Sequence, residues 1–208
     1  MDQNKLSDFE IDAMKEVGNI GSGNAAIRLS QMVNEKVEMN LTEIKIIDSK
    51  NLVNEYKQQS NDPVVSVFLR VKGDALGSII TVFDRKFSTV LLDLIEKNPI
   101  GTTKTITLEC EEKFKAIGIS LSESYINALG TFLNMNFIQT DPLVQINKKE
   151  LVFRFLAKGI SPYASEDMLI LQTKFNVKKY SLVGEFAIIF GLKSLDRFKK
   201  AISKALGN

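Results

Sequence analysis

The sequence contains no histidine and a single cysteine, Cys110, among its 208 residues. Without histidine, Ser-His-Asp and Cys-His catalysis, phosphohistidine chemistry and histidine-ligated metal sites are excluded. With one cysteine, neither an internal disulfide nor a thiolate metal cluster can form. Tryptophan is absent and proline occurs only four times, with no low-complexity tract. The missing histidine narrows the possible chemistry more than any other feature of the composition.

Long hydrophobic runs are also missing. No apolar stretch approaches the ~20 residues that a membrane-spanning helix needs. Met1 is followed by polar and acidic residues rather than by the basic and apolar regions of a signal peptide. The 27 basic and 25 acidic residues leave a net charge of +2, which gives no electrostatic reason for binding nucleic acid or an anionic membrane. These features predict a cytoplasmic globular protein without membrane insertion.

The first predicted element is a long helix. Ser7 and Glu10 have the spacing of a capping box, which predicts the start of the helix. Apolar residues at helical spacing extend it to about Val33. Three glycines in the helix each cost roughly 1 kcal/mol relative to alanine. We therefore expect close backbone approaches there, to a second long helix or to a sheet; these glycines are Gly18, Gly21 and Gly23.

The rest of the chain predicts two similar halves of about 100 residues. A second long helix is expected over about 108–133, a shorter helix is capped by Asp84 and stops near Pro99, and a final helix covers about 195–206. The predicted strands are 37–47, 64–71, 76–83, 143–146, 151–157, 168–175 and 182–190. Each half reads helix, strands, helix, which indicates an internal duplication. Consecutive strands with short connections favour antiparallel pairing. We predict an α+β fold over 1–208: a single domain of two pseudo-two-fold repeats, 1–100 and 101–208, with a mostly antiparallel sheet.

Polar side chains share one side of the first helix. Asp12, Glu16 and Asn19 occur at i, i+4 and i+7. From the spacing alone, a carboxylate and an amide on an exposed helix face are usually no more than solvated surface. The surrounding sequence, residues 16–26, resembles the signature stretch of the CheC family of chemotaxis phosphatases, within the CheC/CheX/FliY group. In that family's pattern, Asp12, Glu16 and Asn19 match, whereas Thr42 occupies a position that is proline in the family.

The resemblance also implies a second motif 100 residues later, and that motif is degenerate. Glu112 and Pro142 match, but the positions of the glutamate and the asparagine hold Ala116 and Ile119. Neither of these side chains can donate or accept a hydrogen bond. The resemblance therefore implies one active site. Asn19 would orient the attacking water, Glu16 would pair with a lysine of the partner, and Asp12 would have a supporting role.

The implied substrate is a phosphorylated CheY-type receiver domain, which supplies its own Mg²⁺, so we expect no cofactor bound by this chain. Two other functions stay open at the level of sequence. The chain could act as an adaptor through the receptor deamidase CheD, which is a partner in the family. It could also be structural in the flagellar switch, although we expect full-length switch proteins to be longer chains, with an N-terminal regulator-binding peptide and a C-terminal switch-ring domain. We expect a monomer, because the duplication reduces the need for a dimer.

Overall fold

A computed structural model describes residues 6–48, 51, 52, 54, 62–160 and 167–205. The helices with defined bounds are α1 (Asp8–Val33), α2 (Arg85–Glu96), α3 (Glu111–Leu133), α4 (Lys149–Ile160) and α5 (Leu195–Ala205). The strands are β1 (Glu38–Asp48), β2 (Pro63–Gly73), β3 (Gly77–Phe83), β4 (Phe137–Gln139), β5 (Leu143–Lys148), β6 (Asp167–Val177) and β7 (Leu182–Gly191). The polar stretch 50–62 predicts a loop, and it lies mostly outside the described residues.

The strands form one antiparallel sheet in the order β1-β6-β7-β3-β2-β4, with β5 also pairing with β2. The described ladders of β1 and β3 show that strands from both halves of the chain are interleaved in this sheet. The strand β1 pairs with β6, and β3 pairs with β2 on one side and with β7 on the other. The predicted α+β class with an antiparallel sheet is confirmed.

Apolar residues cover both faces of the sheet. One face packs against α1, α2, α3 and α5, and this core includes Phe83, Phe175 and Phe186. The opposite face packs against α4 through a smaller cluster that includes Phe68 and Leu156. Successive residues of the central strands point to opposite faces, so strands buried on both sides are apolar almost throughout.

Helix α4 corrects a prediction, because a strand was expected over 151–157. Val152, Phe153 and Leu156 are buried, whereas Leu151 and Phe155 are exposed. This is the spacing of one face of a helix. An apolar run of this length does not distinguish a buried strand from a short helix. The three-residue strand β4 was not predicted.

Helix α1 begins where the sequence predicts, whereas α3 begins at Glu111, three residues after its predicted start. Ser7 accepts a hydrogen bond from the Glu10 amide, and the Glu10 carboxylate accepts one from the Ser7 amide at 2.7 Å, so the capping box is confirmed. Both α1 and α3 end at an asparagine in the left-handed conformation, Asn34 and Asn134. Each buried residue of α1 also has a buried counterpart 100 residues later in α3: 14/114, 17/117, 18/118, 21/121, 22/122, 25/125, 26/126, 29/129 and 33/133.

Candidate functional site

Helix α1 is held against α3 by small residues on its inner face. An ideal Cβ at Gly21 would lie 3.0 Å from the Cγ and Cδ1 atoms of Tyr125. A Cβ at Gly18 would lie 2.9 Å from the Tyr125 hydroxyl and 2.8 Å from a methyl carbon of Leu41. The tyrosine ring is fully buried and also packs on Phe186, with 5.3 Å between ring centroids. The close approach predicted for Gly18 and Gly21 is therefore present, and it fixes the distance between the two long helices.

The outer face of α1 carries the three residues singled out by the sequence. Asp12, Glu16 and Asn19 are all exposed. The Asp12 carboxylate accepts a hydrogen bond from Lys15 at 3.1 Å. Within the described residues, the side chains of Glu16 and Asn19 have no hydrogen-bond or ion-pair partner. At about 100° per residue, the two side chains lie about 60° apart around the helix axis.

This arrangement offers chemical groups but no complete catalytic centre. The Glu16 carboxylate accepts hydrogen bonds and can pair with a cation, while the Asn19 amide can both donate and accept. Among the clefts formed by the described residues, those at α2 and between α1 and α3 are lined by neither group, and both side chains project from the exposed surface of the helix. A site of this shape can act only on a reacting group that another molecule presents to it.

The second helix presents a different set of residues at the corresponding positions. Glu112 is exposed and is paired with Lys115 at 2.8 Å, as Asp12 is paired with Lys15. Its carboxylate and that of Glu111 raise the pKa of Lys115 above the ordinary value. Ala116 is exposed, and Ile119 is half-buried and packs against the main core. The outer face of α3 therefore lacks the carboxylate–amide pair.

The position that is proline in the family pattern has a different structural setting in each half of the chain. Pro142 immediately precedes β5, whereas Thr42 lies inside β1, where the pairing with β6 shifts register between Leu41 and Glu43. The Thr42 hydroxyl donates to the backbone oxygen of Gln172 at 3.0 Å. The strand predicted over 37–47 includes this position, in agreement with the structure. An edge strand at an irregularity can accept proline, and the threonine adds a cross-strand hydrogen bond there.

The outer face of α1 also carries residues that the sequence analysis did not include in the site. Ile20 and Ile27 are exposed, and Gly23 lies between them. Their spacing from Glu16, at i+4, i+7 and i+11, was the signal that could have identified them. An open groove of about 470 Å³ between α1 and α3 is lined in part by Ile27, Arg28 and Glu123.

A wider cleft of about 890 Å³ lies at the start of α2, beside Lys149 and Glu185, whose side chains form an ion pair at 2.5 Å. Neither Glu16 nor Asn19 contributes to its lining. Within the described residues, no helix is both long enough and apolar enough to cross a membrane.

Comparison with known proteins identifies the relatives of this chain. Residues 9–40 match the CheC-like family, and this segment contains Asp12, Glu16 and Asn19. The chain is 25% identical over 146 residues to the CheY-P phosphatase CheC of Bacillus subtilis, covering 69% of each protein. The sequence is thus similar to that of the CheC/CheX/FliY group. It is also 24% identical over 188 residues to the flagellar motor switch phosphatase FliY of Bacillus subtilis, covering 86% of this chain and 45% of that protein.

Solved structures of the CheC/CheX/FliY group share the fold. Thermotoga maritima FliY superposes with a TM-score of 0.73 at 17% identity, covering 96% of this chain and 98% of that one. The CheX–CheY–BeF3–Mg complex from Borrelia burgdorferi matches with a TM-score of 0.52 at 18% identity, covering 82% of this chain and 95% of that one.

Proposed function

We propose that this chain accelerates hydrolysis of the aspartyl phosphate on a CheY-type response regulator. The observation that carries the proposal is the exposed Glu16–Asn19 pair on α1, free of partners within the described residues and inside the segment that matches the CheC-like family. The homologue from Bacillus subtilis is a CheY-P phosphatase, and a CheX protein of the same fold forms a complex with CheY.

A convex site suits this substrate because a phosphorylated receiver domain brings most of the catalytic groups itself. Its Mg²⁺ and lysine neutralise the phosphoryl oxygens, and what the reaction lacks is a water held in line with the scissile bond. The Asn19 amide would enter the receiver's active site and hold that water. Positioning of this kind can lower the barrier by several kcal/mol without a general base.

The other two residues would act on the complex rather than on the water. The Glu16 carboxylate, one turn before Asn19, would pair with the receiver's lysine and orient the helix. Asp12, already paired with Lys15, would support the contact at its edge. Because Ala116 and Ile119 occupy the matching positions of α3, we assign the activity to α1 alone.

The decisive experiment is phosphate release from a phosphorylated CheY-type regulator with wild-type protein and with Asn19→Ala. We expect the variant to lose at least about a hundredfold of the acceleration, because the water loses its positioning group. Its free energy of unfolding should change by less than about 0.5 kcal/mol, since the side chain is exposed. Asn136→Ala, at an exposed asparagine between α3 and β4, is the matched control. Wild-type acceleration by Asn19→Ala would refute the mechanism.

A second candidate function is a structural role in the flagellar switch. The observation in its favour is the likeness in fold to Thermotoga maritima FliY. A purely structural role needs no free carboxylate–amide pair on a convex surface. The same assay separates the two functions, because a structural protein would leave the regulator's own rate of dephosphorylation unchanged.

A further inference from the structure

Gly23 has no explanation in the packing of the chain itself. Gly18 and Gly21 make room for Leu41 and Tyr125, but an ideal Cβ at Gly23 would meet no atom within 4 Å. Apart from proline, glycine is the residue that least favours a helix interior. A helix that keeps glycine at an open, exposed position leaves its backbone bare there, which suits the close approach of another molecule.

The residues on either side of Gly23 are apolar and exposed. Ile20 and Ile27 have 49% and 59% of their surface accessible to water. At about 100° per residue, Ile20, Gly23 and Ile27 all lie within about 40° of Glu16 around the helix axis, with the two isoleucines on one side of Glu16 and Gly23 on the side nearer Asn19. These three residues, Ile20, Gly23 and Ile27, are called the apolar face of α1. It continues the Glu16–Asn19 pair towards the end of the helix.

The second helix serves as an internal comparison, because its inner face matches that of α1 position by position. Its outer face does not match. The positions 100 residues after Ile20, Gly23 and Ile27 hold polar residues: Ser120, Glu123 and Asn127. The apolar face and the carboxylate–amide pair thus occur together on α1 and are both missing from α3. Packing within the fold does not require either of them, since α3 occupies an equivalent place without them.

We infer that the apolar face of α1 is the surface on which the folded body of the phosphorylated receiver domain docks, with a backbone segment of that domain lying against Gly23. This inference rests on the proposed function. The occupant follows from continuity, because Ile20 adjoins Asn19 and Ile27 lies only about 12 Å further along the helix axis, within the reach of a domain that admits Asn19 to its active site. Buried apolar anchors supply most of the affinity of such contacts, whereas exposed charges at the rim supply little.

The test measures binding apart from chemistry. The probe is the CheY-type receiver domain loaded with Mg²⁺ and beryllofluoride, titrated calorimetrically with the full chain. Ile27→Asp should weaken binding about tenfold or more, because it places a charge in the contact. Ile138→Asp is the matched control, since Ile138 lies in β4 and has 57% of its surface exposed. We expect the control to bind within about twofold of wild type.

Gly23→Ala separates docking from folding. The added methyl group should raise the melting temperature, because alanine favours the helix, and it should weaken binding by holding the partner's backbone away. Binding equal to wild type in both Ile27→Asp and Gly23→Ala would overturn the inference, as would equal weakening in Ile27→Asp and Ile138→Asp.

Phosphate release measured in parallel shows which idea has failed. Wild-type acceleration together with unaffected binding by the variants overturns the docking surface alone. A wild-type protein that neither binds the loaded receiver nor accelerates phosphate release overturns the proposed function and the docking surface together.

Discussion

At the scale of single residues, the glycines of α1 show how far the sequence can be interpreted. Their number and position predicted a close approach, and Gly18 and Gly21 confirm it. The residue that approaches, Tyr125, could not be predicted, because its identity depends on how α3 is rotated and shifted against α1. Gly23 differs although it is only two positions from Gly21. The sequence gives the same prediction for all three glycines. Only the atoms that surround each position in the structure distinguish Gly23 from Gly18 and Gly21.

Substitution by alanine should therefore have opposite effects at Gly21 and Gly23. At Gly21 the new methyl group would lie 3.0 Å from the buried ring of Tyr125 and 3.3 Å from its Cα atom. Overpacking of this kind lowers the free energy of unfolding by about 1–3 kcal/mol. At Gly23 the same change should raise it by up to about 1 kcal/mol. Urea unfolding of the two variants measures both, and a stable Gly21→Ala would mean that α1 and α3 can move apart.

At the scale of elements, the sequence predicted the long helices better than the segments around them. The capping residues and the helical spacing of apolar residues predicted α1. The apolar run in α4 was compatible with a strand as well as with a helix. The contacts of the loop after α2 could not be predicted from the sequence. The buried Asp93 carboxylate accepts hydrogen bonds from the backbone amides of Gly101, Thr102 and Thr103 at 2.7, 3.1 and 2.8 Å. Those partners depend on the path of the loop, which no local pattern encodes.

Replacement of Asp93 by asparagine should destabilise the join between the two halves. The amide group retains one acceptor oxygen and turns an NH₂ group towards backbone donors, which leaves buried groups without partners. We expect the free energy of unfolding at neutral pH to fall by about 1–3 kcal/mol. Chemical denaturation of Asp93→Asn and of the wild type measures the difference, and an unchanged midpoint would show that the loop does not depend on this carboxylate.

The same contacts predict a dependence on pH. Burial opposes ionisation of Asp93, but the hydrogen bonds from Thr103, Gly101 and Thr102 outweigh it, so the pKa of this carboxyl lies below its ordinary value. Its stabilising effect is therefore complete above the unfolded pKa of about 3.9 and is lost as the pH falls through the lower folded value. Unfolding measured from pH 7 down to pH 2 should show a smaller acid-dependent loss in Asp93→Asn than in wild type. If the free energies of unfolding of Asp93→Asn and wild type fell in parallel with pH, the acid dependence could not be assigned to Asp93.

Helix α3 allows a gain-of-function test. In an Asn19→Ala background, Ala116→Glu with Ile119→Asn should leave phosphate release low, because the polar outer face of α3 offers no apolar contact. Adding the three changes Ser120→Ile, Glu123→Gly and Asn127→Ile should raise the rate. Recovery with the first two substitutions alone would show that the carboxylate–amide pair suffices. No recovery with all five would show that docking requires more than one face of the helix.

At the scale of the whole molecule, the halves share one sheet. Strand β1 has its ladder with β6 of the second half, and β7 of the second half pairs with β3 of the first. The sequence predicted the α+β class and the similarity of the halves. It could not predict the strand order, because pairing between distant strands depends on the twist and burial of the assembled sheet. The internal duplication, which the matched buried positions of α1 and α3 support, stays a prediction.

Neither half should therefore fold alone. A fragment of residues 1–100 would leave β1 without its described partner and expose the apolar faces of α1 and β3. We expect its circular dichroism to lack a cooperative thermal transition, and we expect one to return when residues 101–208 are supplied by co-expression. The full chain is the control. A cooperative transition in the isolated fragment would show that the first half can build a different sheet.

The contact between Gly21 and Tyr125 has a consequence for how such sequences can vary. The two long helices match in which positions they bury but not in the volume at each position: where α1 has Gly21 and Ala25, α3 has Leu121 and Tyr125. Bulk added at 21 can be accommodated only by bulk removed at 125. Among homologues, we expect these two positions to change together, and a chain with large side chains at both should be rare.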